Sequence, residues 1–314
     1  MTRVAYYPGC ALKERSAHLE RPALGAAEKL GFELDELDSW TCCGAVPPPS
    51  EERIMNLVAP IRILKDVRDT GDEVLVTICD FCYNSLKRAN HRVSTSDLDR
   101  KRVNAFLREN QPKRDYLPST EEDYRDYLGE VQVMHLLEYL RDVVGFEEIA
   151  QSRSTELSGL RLAPYYGCVM LRPEDEIGLD SVENPTIIED FLVALGAETV
   201  AYPYRTVCCG SYLSVSFPES SARLCSNIIS SAAEKGADAI VVSCPLCFYN
   251  LDSRQKMISE LYPGTKSIPI LYFTQVLGMA MDLDISDLGF DKHYVDPEPV
   301  VEKALGSLKG GGSR

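Results

Sequence analysis

The sequence predicts an α/β protein of two duplicated α/β domains, each with a parallel-type sheet and a cysteine-bearing site at the carboxyl ends of its strands. Three observations predict it. Short apolar, β-branched runs alternate with helical patterns along the chain; an order of five cysteines in the first half returns in the second; and the cysteine groups follow strand-like runs. Alternating strands and helices favour parallel units with right-handed crossovers. In open sheets of that kind, sites gather outside the carboxyl ends of the strands.

Residues 4–7 open the chain as a short buried strand, and 23–30 follow as a helix closed by Leu30-Gly31, with glycine available for the left-handed cap. Residues 32–37 are extended, Pro47-Pro48-Pro49 makes a stiff turn, and 52–68 carry a helical pattern that leads to a strand over 74–78. The stretch 101–125 is charged, holds Pro112 and Pro118, and reads as an exposed excursion. Val133, Met134, Leu137, Tyr139 and Leu140 stand near helical spacing and predict a helix over 131–144. A polar, serine-rich stretch at 151–158 sets the boundary between domains 1–150 and 151–300. The second half repeats the scheme with strands at 162–166, 199–202 and 240–243, and helices at 186–195 and 220–235. Continuous apolar runs of this length suit strands buried on both faces. Residues 301–314 form a mobile tail that ends in a disordered 310–314.

A chain of 314 residues with 45% hydrophobic content can bury one large core or two smaller ones. The formal charge of -15, from 33 basic and 48 acidic residues, argues against a nucleic-acid binder. The first residues lack an apolar stretch long enough for a signal peptide, and no run approaches the roughly 18 apolar residues of a membrane span. The expectation is a cytoplasmic protein without direct membrane insertion. Eleven cysteines are many for such a compartment, where disulfides are disfavoured, so they point to metal binding or redox chemistry.

Cys10 is followed by 31 residues, then Cys42-Cys43-Gly44, then 34 residues, then Cys79-Asp-Phe-Cys82. Cys168 is followed by 39 residues, then Cys208-Cys209-Gly210, then 33 residues, then Cys244-Pro-Leu-Cys247. The flanks repeat too, Tyr6-Tyr7-Pro8-Gly9 answering Tyr165-Tyr166-Gly167 and Tyr83-Asn84 answering Tyr249-Asn250. The glycine after each Cys-Cys lets the backbone come close to a bulky group. A structural zinc ion takes four ligands and would strand a fifth thiol in each set. An iron–sulfur cluster offers several irons and so several thiolate positions. Ligand count favours clusters over zinc, and zinc over metal-free catalytic dithiols.

With these residues in view, the chain resembles the CCG-domain family of heterodisulfide reductase B subunits over nearly its whole length. Gly167-Cys168-Val-Met-Leu-Arg-Pro173, Asn184-Pro-Thr-Ile-Ile-Glu-Asp190 and the stretch 268–281 add to the cysteine pattern. The resemblance implies two noncubane 4Fe–4S clusters. One would use Cys10, Cys42, Cys43, Cys79 and Cys82, and the other Cys168, Cys208, Cys209, Cys244 and Cys247, these cysteines acting in catalysis through their clusters. It implies cleavage of a small-molecule heterodisulfide of the CoM-S-S-CoB type, or a related disulfide, to two thiols. It also implies partners: an Hdr-like, C-type subunit with cubane iron–sulfur clusters and an A-type, flavin-containing subunit, coupled to hydrogenase or formate dehydrogenase. The rival readings are an electron-transfer or scaffold component of an Hdr-like oxidoreductase acting on another sulfur substrate, and a zinc-stabilised interaction module.

The remaining residues carry weaker signals. Cys225 reads as a small buried hydrophobe. His18, His91, His135 and His293 form no HxxxH or HxH pair, and His135 and His293 are candidate proton donors, since thiolate products must be protonated. Lys13, Arg15, Arg172 and Arg205 lie near cluster cysteines and are candidate anion ligands. Trp40 reads as packing beside the first Cys-Cys pair. No GxGxxG or P-loop motif appears, so electrons must come from a partner.

Overall fold

The computed structural model of the chain describes residues 1–45, 54–110 and 124–309. The triple-proline turn, the start of the 52–68 helix, residues 111–123 of the charged stretch and the final 310–314 lie outside these described residues. The first half runs β1 (Thr2–Tyr7), α1 (Cys10–Glu14), α2 (Ala17–Lys29), β2 (Phe32–Glu36), α3 (Met55–Asp69), β3 (Val74–Thr77), α4 (Asp80–Thr95), α5 (Asp97–Glu109), β4 (Gln132–His135), α6 (Leu136–Tyr139) and α7 (Phe146–Ser152), with a π-helical turn at Leu140–Val144. The second half runs β5 (Arg161–Tyr165), α8 (Glu174–Ile177), α9 (Ile187–Ala194), β6 (Glu198–Thr199), α10 (Pro218–Glu234), β7 (Ala239–Val242), α11 (Pro245–Ser253), α12 (Gln255–Leu261), β8 (Ile270–Tyr272), α13 (Phe273–Ala280), α14 (Ile285–Leu288) and α15 (Glu298–Lys309).

The two halves have one topology. Their sheets are ordered β2-β1-β3-β4 and β6-β5-β7-β8, and all six ladders are parallel. The central strands are the most apolar: Leu75, Val76, Ile240, Val241 and Val242 have no accessible surface. Helices cover both faces, as a parallel sheet requires. In each sheet the chain leaves in opposite directions on either side of the first central strand, which puts the switch point between β1 and β3, and between β5 and β7. A crevice opens at that point at the carboxyl edge of such a sheet.

Three expectations need correction. The stretch predicted as a helix over 131–144 begins as β4, because Val133 and Met134 pair with Leu75 and Val76 in the ladder. Of the predicted 199–202 strand only Thr199 pairs, with Leu162, in a two-residue strand begun by Glu198 opposite Arg161. The charged stretch is not an excursion at its start: α5 buries Val103, Asn104 and Leu107 on one face, and Ser96 caps it by accepting from the Asp99 amide at 3.3 Å.

The boundaries proposed from sequence also change character. Residues 151–152 of the expected linker complete α7. Residues 301–309 are not a tail: they form most of α15, with Val300, Val301 and Ala304 buried. One hydrophobic core, without a break, runs through both halves. α13 of the second half packs on α2 of the first, where Thr274 Oγ1 donates to Leu19 O at 2.8 Å. A fully buried Leu or Ile contributes about 1.5–3 kcal/mol, so this shared seam makes each half depend on the other for stability.

Candidate functional site

Both central strands of each half end beside cysteines. Cys10 and Cys79 follow β1 and β3, and Cys168 and Cys244 follow β5 and β7. The CxxC pairs open helices α4 and α11, with Cys79 and Cys244 as N-caps in extended conformation. The Cys-Cys pairs arrive from loops after β2 and β6. All eleven cysteines are free thiols. Within the sets, Cys43 and Cys82 sulfurs lie 3.5 Å apart, Cys209 and Cys247 3.5 Å, and Cys168 and Cys208 3.6 Å. The topology therefore gathers residues spread over more than seventy positions of each half into one thiol cluster.

The sets differ in exposure. Cys10 and Cys42 are exposed, whereas Cys168 and Cys208 are half-buried. Cys43, Cys79, Cys82, Cys209, Cys244 and Cys247 are buried in both. Close-packed thiols cannot all ionise together. Hydrogen bonds from Cys42 and then Cys82 hold Cys43 far below its ordinary value, and those from Cys168 and Cys209 do the same for Cys208. Burial pushes Cys244 up. Each set thus favours a thiolate in a nest of thiols, and thiolate is the form that binds metal.

Space is left beside the buried sulfurs by the glycine before the first cysteine of each set. Gly9 has φ of 73°, and a Cβ there would sit 2.6 Å from Cys82 Sγ; Gly167 has φ of 66°, and a Cβ would sit 3.2 Å from Cys247 Sγ. Among the described residues, no group of three or more His, Cys, Asp or Glu side chains is set to hold a single metal ion. Ten soft donors with no imidazole or carboxylate among them suit a thiophilic centre.

The two sites share a seam. Asp80, inside the first CxxC, is fully buried and accepts from Ser243 Oγ, next to Cys244, at 3.0 Å. Asn84 Nδ2 donates across the seam to the carbonyls of Val169 and Arg172, both at 2.7 Å. Phe81 and Tyr212, each beside a different site, meet edge to face at 5.7 Å. A cavity of about 510 Å³ opens here, lined from the first half by Gly44, Phe81, Ser85 and Arg88 and from the second by Val169 and Tyr212. It fits a small molecule touching the loops of both sites.

The other predicted residues are placed as follows. His135 caps α6: its Nδ1 accepts from the Leu137 amide at 3.2 Å, so the ring proton is on Nε2, which faces Ile78 O at 2.9 Å and Asp80 Oδ1 at 3.3 Å. Both nitrogens are committed, which opposes the proton-donor role. Burial pulls His293 down to about 3, so it is neutral near pH 7 and lies against Gln275 at 2.9 Å. Lys13 pairs with Glu20 at 2.8 Å and Glu36 at 2.5 Å. Arg205 pairs with Glu189, and Arg172 donates to Thr206 O at 3.2 Å. Arg15 is exposed, with no ion-pair partner among the described residues. Trp40 packs edge-on against Tyr7 at 5.8 Å. Cys225 has no accessible surface, in keeping with a small buried hydrophobe.

Sequence reasoning missed Asp80 and Ser243, whose link depends on how the halves dock. It also matched Tyr83-Asn84 with Tyr249-Asn250. Counted from the last cysteine of each CxxC, Tyr83 instead answers Phe248 and Ser85 answers Asn250.

Comparison with known proteins agrees with this architecture. The cysteine-rich domain family CCG matches residues 4–87 and 162–252, one copy per half. The chain is 31% identical to the 8-methylmenaquinol:fumarate reductase membrane anchor subunit of Wolinella succinogenes, over 93% of this chain and 96% of that one. It is 26% identical to the B subunit of the Ferredoxin/F(420)H(2)-dependent CoB-CoM heterodisulfide reductase of Methanosarcina acetivorans, over 94% of each. Among solved structures, a hypothetical protein from Helicobacter pylori shares the fold with a TM-score of 0.71 at 17% identity. The match covers 93% of this chain and 52% of that one, so the chain spans about half of the solved protein.

Proposed function

The chain belongs to the CCG cysteine-rich domain family, and from that premise we propose that it is the disulfide-reducing iron–sulfur subunit of a multi-subunit oxidoreductase. In this reading Cys10, Cys42, Cys43, Cys79 and Cys82 hold one 4Fe–4S cluster, and Cys168, Cys208, Cys209, Cys244 and Cys247 hold the other, both noncubane. The substrate is a heterodisulfide of the CoM-S-S-CoB type or a related small disulfide. Two electrons and two protons convert it to two thiols, with electrons delivered by an Hdr-like, C-type cubane iron–sulfur subunit and an A-type, flavin-containing one. Hydrogenase or formate dehydrogenase is the electron source, in the cytoplasm. Among the described residues no helix is long and apolar enough to cross a membrane, so membrane contact would come through a partner.

The observation that carries the reading is the pairing of two complete five-thiol sets on one seam. Splitting an S–S bond takes two electrons, and iron–sulfur clusters supply one-electron redox chemistry with open affinity for sulfur. Two sites on one seam match that stoichiometry, and the cavity beside them is lined by the neighbours of Cys43 and Cys168, Gly44 and Val169. The chain's own residues orient and enclose: the Asp80–Ser243 contact fixes the two CxxC turns against each other, Asn84 ties the first CxxC helix to the loop after Cys168, and Phe81 and Tyr212 wall the cavity. Exposed Tyr212, Val215, Phe217, Leu246 and Tyr249 concentrate beside the second site, where a partner subunit can cover them.

A second reading is favoured by the Wolinella relative, which by name belongs to a fumarate reductase. There the chain relays electrons and binds no disulfide. Electron paramagnetic resonance on the anaerobic complex during thiol titration separates the two. Disulfide reduction predicts a new paramagnetic signal that appears only when oxidised protein meets thiol; a spectrum indifferent to thiols, with ordinary redox titration, favours the relay.

A further inference from the structure

The duplication offers a comparison that one site could not: a contact made in both halves by different residues is kept for its chemistry. Tyr7 and Tyr165 are equivalent, since they pair with Thr77 and Val242, the last residues of β3 and β7. Tyr7 Oη donates to the carbonyl of Thr41, just before Cys42, at 2.7 Å. Tyr165 Oη donates to the carbonyl of Val207, just before Cys208, also at 2.7 Å. On the other side of each Cys-Cys pair, Ser85 Oγ donates to Cys43 O at 2.8 Å, and Asn250 Nδ2 donates to Cys209 O at 2.6 Å. Serine in one half and asparagine in the other place a donor on the same carbonyl from the same turn of the CxxC helix.

We propose that Tyr7 with Ser85, and Tyr165 with Asn250, are positioning residues that clamp each Cys-Cys dipeptide at both ends and so aim its two adjacent thiols into the cluster site. The proposal rests on the iron–sulfur reading. A free loop would let the two thiols rotate away from each other, and ordering them at the moment of metal binding would weaken the site. With the flanking peptide planes fixed from a strand end and a helix, the directions of the Cα–Cβ bonds are fixed before metal arrives.

The clamps are unequal. Asn250 has no accessible surface and also reaches Ser221 Oγ at 2.9 Å and Cys225 Sγ at 3.3 Å. A Cβ at Gly210 would meet Leu224 Cδ1 at 2.7 Å, so α10 presses on that turn; at Gly44 the nearest atom is Ala59 Cβ at 3.9 Å. Ser85 lines the open cavity instead. The second Cys-Cys pair is therefore the stiffer one, and Cys225 belongs to its support.

The test uses the full chain, purified anaerobically, with Tyr165→Phe combined with Asn250→Ala, and with Tyr165→Phe combined with Asn250→Ser. Three signals are read: iron left after a chelator challenge, the resonance line positions, and deuterium uptake of the peptide spanning 207–210 in metal-free protein. The inference expects the first double variant to keep about half of the wild-type chelator-resistant iron, to shift or broaden one set of lines, and to exchange about tenfold faster over 207–210. The second, in which Asn250→Ser restores the donor used in the first half, should return all three toward wild type. Wild-type iron, lines and exchange in the first double variant would overturn the inference while leaving the iron–sulfur reading intact. A wild-type chain that takes up no iron and sulfide would overturn both. A double variant that fails to fold is replaced by Tyr165→Phe alone, which deletes one buried hydroxyl, with the same criteria.

Discussion

Cys209→Ala is expected to remove one cluster and all disulfide reduction while leaving the other cluster in place. Cys209 is buried, with its sulfur 3.5 Å from Cys247, and the shared core holds the rest of the chain independently of that thiol. Iron should fall by about half, from about eight to about four per chain for two four-iron clusters. Cys43→Ala should do the same at the first site. Iron and sulfide analysis with turnover on the assembled complex decides the matter. Unchanged turnover in both Cys43→Ala and Cys209→Ala would remove the catalytic reading.

Gly9→Ala is expected to damage the first site more than Gly167→Ala damages the second. A Cβ is disfavoured at both positive φ values, 73° and 66°, and at Gly9 the ψ of 163° adds a backbone region that glycine alone fills readily, at a cost of about 1–3 kcal/mol for a side chain. A second difference lies in what the methyl meets. At Gly9 it would stand 2.6 Å from Cys82 Sγ, against 3.2 Å from Cys247 Sγ at Gly167, and non-bonded atoms prefer roughly 3.5–4.0 Å. Cys82 is buried and has little room to retreat, so its thiol must leave the site. Gly9→Ala should therefore lose most first-site iron and lower the thermal midpoint by several degrees, whereas Gly167→Ala should keep most of its iron with a smaller shift. Equal iron retention in the two variants would show that these glycines serve the backbone alone.

What was legible in the sequence follows from how local each signal is. β1, β3, β5 and β7 were visible because each is a short run buried on both faces and stands beside a cysteine. β4 was hidden because four strand residues pass straight into α6 through the His135 cap, so strand and helix periodicities overlap in one apolar stretch. α5 was hidden by its charges: its buried face is narrow, and one of its members is Asn104, which reaches Tyr127 O at 2.8 Å. α15 looked like a tail because its buried residues, Val300, Val301 and Ala304, are few and stand among charged neighbours. The thiol sets were readable from spacing alone, since covalent order fixes which cysteines leave which strand. Their supports were not. Tyr7, Ser85 and Asp80 act through carbonyls and a serine brought near only by the crossovers and the docking of the halves.

The most direct test of the central claim is the iron, acid-labile sulfide and zinc content of the wild-type chain purified without oxygen. Two four-iron clusters predict about eight irons and eight sulfides per chain and negligible zinc. One or two zinc ions per chain without sulfide would contradict the account and leave a structural module in place of an electron-transferring one.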